Sequence, residues 1–162
     1  MLPSLPLWDA AHPLIVHLPI GILFSAWVLV VCAMFARRMR QPLAFAALLM
    51  ILMGTIGGIL ATASGDAAER AVTATGQARE ILREHEQLAH LSRNAFILIA
   101  CVYGVVFGVV VAIGEKFRRS IWVMTHLAFL ALYAAGLLAL ANAGHLGGRL
   151  VHEFGIQAPL AP

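Results

Sequence analysis

Imidazole is the side chain with the most chemistry to offer in this sequence. His12 and His17 stand in His12-Pro13-Leu14-Ile15-Val16-His17-Leu18-Pro19, at the mouth of an apolar run that continues to Ala36. Polar rings at the edge of an apolar helix must bond something to offset their lost hydration. Pro13 suits a first helical turn, where its missing N–H costs nothing, whereas Pro19 lies inside the run and leaves the Ile15 carbonyl without its intrahelical donor. Two further histidines have comparable settings. His90 heads the third apolar run, and His145 follows the fourth in Gly144-His145-Leu146-Gly147-Gly148.

Neutral imidazoles bind Cu, Zn or Fe directly, and a b-type haem takes one or two axial nitrogens from facing helices of a bundle. His12, His17, His90 and His145 would serve one or two haems b, with Arg93 and Arg149 as cations for the propionates, or the same four would serve a Cu, Zn or Fe ion. The plainer alternative is that each ring bonds a backbone carbonyl or lies among lipid headgroups. His126 stands alone near the other membrane face and reads as structural, His85 reads as water-facing, and His152 is left without a role. Asp66 and Glu86 are each weighed as a partner that orients a ligand imidazole or, more plainly, as a helix cap.

Several other chemistries are excluded. No Cys-x-x-Cys-His occurs, which rules out covalent c-type haem, and Cys32 and Cys101 are expected at depths ~18 Å apart, too far for a disulfide. Nucleophile elbow, phosphate loop and zincin helix are all missing from the sequence, so no catalytic residue is assigned. An electron-transfer protein or subunit is the better expectation than a stand-alone enzyme.

The elements that must position these rings are membrane spans. With 61% hydrophobic and 12% charged residues and a mean hydropathy of +0.88, the chain is far more apolar than a soluble domain of 162 residues. Four runs, 14–36, 43–63, 95–113 and 121–142, match the ~20 residues that cross a bilayer. The expected fold is all-α and integral to the membrane: one domain over 1–162, a bundle of four transmembrane helices. None of the four runs contains Asp, Glu, Lys or Arg, which argues against an ion or proton relay crossing the whole bilayer.

Arg37, Arg38 and Arg40 follow the first run, and Lys116, Arg118 and Arg119 follow the third. By the positive-inside rule these short loops are cytoplasmic, both termini are periplasmic, and six of the seven histidines gather at the periplasmic level. The excess of +3 charges thus reports topology, not a nucleic-acid partner. With no Lys or Arg before residue 12, the first helix is expected to insert uncleaved.

Between the second and third runs, Ser64-Gly65-Asp66 reads as a turn, followed by one or two outer interfacial helices, the second running from Gln77 into the third span. On a helical wheel His90 shares a face with Cys101, Gly104 and Gly108, expected to point into the bundle, and His85 lies 140° away. Small residues at four-residue spacing, Gly54 and Gly58, then Ala100 to Ala112, then Ala131 to Ala143, suggest close helix packing or contact with a flat macrocycle. Gly147 and Gly148 are expected to end the fourth helix, and no internal repeat is visible.

These motifs resemble a bacterial membrane family, domain of unknown function 2231. The resemblance rests on His-Pro-x-x-Val-His-x-Pro at His12 to Pro19, the Gly65-Asp66 pair, the histidine at the head of helix three, and His-x-Gly-Gly-x-Leu-Val at His145 to Val151, and it spans nearly the whole chain. It implies a four-helix inner-membrane module, in some members found beside cytochrome c domains, that binds haem through its histidines. His152 departs from the pattern, standing where a tyrosine is expected after Leu-Val.

Together these readings predict a b-type cytochrome module of the bacterial inner membrane. It would sit in lipid, singly or as a homo-oligomer, and carry electrons between a quinol or membrane dehydrogenase and a periplasmic acceptor such as a cytochrome. The alternatives are a Cu, Zn or Fe binding or transport protein built on the same histidines, and a non-catalytic assembly subunit.

Overall fold

A computed structural model describes residues 8, 10–113 and 118–156. Lys116 of the expected cytoplasmic loop and the tail 157–162 lie outside the described residues. Four helices follow one another: α1 His12–Phe35, α2 Arg40–Arg70, α3 Gly76–Ile113 and α4 Arg119–Phe154, with no strand among the described residues. All four are long and apolar enough to cross a membrane.

At 1.5 Å per residue α1 is ~35 Å long, close to the ~30 Å hydrocarbon core, whereas α2, α3 and α4 run to ~46, ~57 and ~54 Å and must project beyond it. The projections lie at the end where α1 begins, which we call the histidine end. They replace the separate interfacial helix expected from sequence: α2 continues through Ser64, Gly65 and Asp66 to Arg70, and α3 is unbroken from Gly76. The reversal between them needs only 71–75, with Gly76 at φ 58°. Likewise α4 does not stop at Gly147 and Gly148. It ends at Gly155, whose φ of 63° lets the Ile156 N–H reach back to the Leu150 carbonyl at 2.9 Å.

The helices form a square in which α1 and α3 each pack on α2 and α4, leaving α1 diagonal to α3 and α2 diagonal to α4. Small residues of α1 and α2, Ala26, Ala33, Ala44 and Ala47, are buried, and Leu23 of α1 is seated on Gly54 of α2. Pro19 is buried inside α1 and faces Gly57, whose missing side chain leaves room for the pyrrolidine ring. The α3–α4 half is filled by rings instead: Tyr103 lies 4.6 Å from Phe129, and Tyr133 meets Phe96 edge-on at 5.4 Å, centroid to centroid. Hydrogen bonds then tie the halves together. Tyr133 donates to the Leu23 carbonyl at 2.8 Å, Trp122 to that of Ala33 at 3.2 Å, and Thr55 to that of Phe96 at 3.3 Å.

The small-residue stripes divide between packing and lipid. Gly54, Ala100 and Ala143 are buried, but Gly108, Ala131 and Ala135 are exposed, and a side chain at Gly58, Gly104 or Gly108 would meet nothing within 4 Å. Lipid tails are as apolar as a helix face, so composition alone does not separate the two. Cys32 and Cys101 are both free and exposed. Gly54→Ala should destabilise, because its Cβ would come 2.6 Å from Leu23 Cγ, a branch point that cannot swing aside. We expect a loss of about 1–3 kcal/mol, read as a lower Tm in detergent. Gly58→Ala, four residues on, should leave the Tm unchanged or raised.

Candidate functional site

At the histidine end two rings from diagonal helices are held in the same way. His12 of α1 lies across α2, its Nδ1–H donating to the Ala61 carbonyl at 3.0 Å and to Ser64 Oγ at 3.1 Å. His85 of α3 lies across α4, its Nδ1–H donating to the Ala143 carbonyl at 2.8 Å. A carbonyl only accepts, so each ring carries a proton on Nδ1, and in its neutral form keeps a lone pair on Nε2. Each ring also rests on a glycine. A Cβ would come 3.0 Å from His12 Cε1 at Gly65, and 3.1 Å from His85 Cε1 at Gly147.

This likeness extends down the bundle. One constant shift in numbering carries His12, His17, Leu23 and Ala26 of α1 onto His85, His90, Phe96 and Ile99 of α3. A second carries Gly54, Ala61 and Gly65 of α2 onto Gly136, Ala143 and Gly147 of α4. The contacts follow: Leu23 sits on Gly54 as Phe96 sits near Gly136, and His12 on Gly65 as His85 on Gly147. The chain is thus two helical hairpins in parallel orientation, a repeat that the hydropathy pattern does not reveal.

His85 was expected to face water because it lies 140° from His90. Helix α3 has two neighbours, however, and buries two faces: His85 turns to α4 while His90 turns to α2, where its Nε2 lies 3.0 Å from Asp66 Oδ1. Asp66 lies within α2 and Glu86 within α3, so neither caps a helix. Ligand atoms of Asp66, Glu86 and His90 all fall within 4.8 Å of one another.

The other sequence candidates are elsewhere. His17 is exposed and donates to the Pro13 carbonyl of its own helix at 2.7 Å. His145 and His152 are exposed on α4. Arg93 bonds its neighbour Asn94 at 3.2 Å, and Arg149 grips Glu153 through two nitrogens at 2.8 to 3.0 Å. That grip, one turn from the end of α4 and beyond the span, holds the Glu153 carboxyl below its ordinary range. His126 is 1% exposed near the opposite end, stacked 3.9 Å from the Trp122 ring with its Nδ1–H on the Trp122 carbonyl at 3.0 Å.

The residue that sequence reasoning missed is His85. The usable signal was the repeated spacing His12, His17, Leu18 and His85, His90, Leu91, together with the pair Gly65 and Gly147.

Comparison with known proteins gives one finding: a family described as predicted membrane protein (DUF2231) matches residues 9–159. No curated protein and no solved structure matches the chain.

Proposed function

We propose that this chain, which belongs to the DUF2231 family of predicted membrane proteins, is a membrane-embedded b-type cytochrome module in which His12 and His85 would hold the haem iron. The observation that carries this reading is the matched pair: two imidazoles on diagonal helices, each fixed through Nδ1–H to a carbonyl of the next helix over a glycine floor. This is the donor set that suits a porphyrin iron. Nδ1–H bonding to a carbonyl sets the tautomer, orients the ring and makes Nε2 a better donor, and the bare glycines permit close approach. Ser64 Oγ adds a second acceptor beside His12 Nδ1 and itself donates to the Ala61 carbonyl at 3.0 Å, so the imidazole is restrained from two sides.

A haem held there would supply one-electron transfer at the edge of the membrane. The chain's own residues would orient the two ligand nitrogens and, through the apolar core below them, keep water from the spans. With the short Arg-rich loops in the cytoplasm, the histidine end faces the periplasm of a bacterial inner membrane. Electrons would then pass from a quinol or membrane dehydrogenase to a periplasmic acceptor. A transport path for ions has less support, since the four runs between the ends hold no Asp, Glu, Lys or Arg. Extraction and quantitation of porphyrin from protein purified out of haem-replete cells tests the reading: about one haem b per chain is expected, one per imidazole pair. Porphyrin-free protein would exclude it.

A further inference from the structure

We propose that Asp66, Glu86 and His90 form a separate binding site for a divalent transition-metal ion, Zn²⁺ by ligand type, at the junction of α2 and α3. Three ligand atoms from two helices converge within 4.8 Å, and His90 Nε2 already lies 3.0 Å from Asp66 Oδ1. Glu86 and His90 stand one helical turn apart on α3, which brings both to the same face toward Asp66. One imidazole with two carboxylates suits Zn²⁺, Mn²⁺ or Fe²⁺, and three protein ligands leave further positions for water.

The site is accessible: His90 and Asp66 are 34% and 35% exposed, and a cleft of about 500 Å³ bounded by Glu86, His90 and Asn94 opens beside them. The hydrogen bond between His90 and Asp66 joins α2 to α3, and Glu86 stands beside it. At the equivalent place in the other hairpin stand Pro13, His17 and Gly148, and there the imidazole simply bonds its own helix. The two acids are therefore an addition to one half of the repeat. They bring two negative charges together beside an imidazole that, when neutral, balances neither, whereas a dication balances both. The site uses neither His12 nor His85, so it stands or falls independently of haem.

The test is Zn²⁺ titration of the full-length protein in detergent by equilibrium dialysis, against Asp66→Asn, Glu86→Gln and His90→Ala. We expect one saturable Zn²⁺ per chain, weakened about ten- to hundred-fold or more by each variant. His17→Ala and His145→Ala should bind Zn²⁺ as the wild type does. Retained helical circular dichroism in Asp66→Asn and Glu86→Gln, which keep size and hydrogen bonding, separates lost ligation from lost fold. Absence of saturable Zn²⁺ binding would overturn the proposal. So would Zn²⁺ binding that survives all three substitutions, or that follows His145 and the other exposed histidines.

Discussion

Alanine at either His12 or His85 is expected to remove the low-spin haem signature from the purified protein, while His17→Ala, His145→Ala and His126→Ala keep it. His12 and His85 alone, among the described histidines, bond through Nδ1 to a carbonyl of a neighbouring helix. His17 and His126 spend the same atom on their own helices, and His145 is exposed on α4. Loss of a ligand removes more than loss of its orienting partner, which itself costs ~10–100-fold, so haem content in either variant should fall below about a tenth of wild type. The reduced-minus-oxidised spectrum checks this, with helical circular dichroism as the control for folding. An unchanged spectrum in His85→Ala would remove the diagonal pair from the account.

The second large effect concerns the floor under each ring. Gly65→Leu and Gly147→Leu should empty the site, and the alanine variants should weaken it by about ten- to hundred-fold, equivalent to the ~1–3 kcal/mol typical of overpacking. Even a single Cβ would come 3.0 Å from His12 Cε1 and 3.3 Å from its Nδ1 at Gly65, so the ring must give by a few tenths of an ångström against its bond to the Ala61 carbonyl. Gly148→Ala is the internal control, since a Cβ there meets nothing within 4 Å although its neighbour Gly147 is in contact. Haem retention on gel filtration measures both. Equal retention in Gly147→Ala and Gly148→Ala would show that the glycine floor has no part in binding.

The spans and the gathering of histidines at one end were legible because both depend on composition along the chain. The partners of those histidines were not. A helical wheel ranks residues by one buried face, and α3 has two, so His85 and His90 both find neighbours although they diverge by 140°. The repeat was hidden because few equivalent positions keep their identity. Leu23 became Phe96, Ala26 became Ile99 and Val30 became Tyr103, exchanges that leave an apolar helix apolar while erasing its likeness. The glycines that persist, Gly54 with Gly136 and Gly65 with Gly147, do so where another helix's side chain occupies the place of a Cβ. Gly147 was misread as a helix stop for the same reason. In a helix interior glycine costs ~1 kcal/mol against alanine, but His85 lies over it.

The central claim, a pair of imidazoles from His12 and His85 on one haem iron, is tested most directly by low-temperature electron paramagnetic resonance of the oxidised wild-type protein. A low-spin ferric signal of the bis-imidazole type is expected, and it should disappear in both His12→Ala and His85→Ala. A high-spin ferric signal in the wild type, or a low-spin one that survives both substitutions, would contradict it.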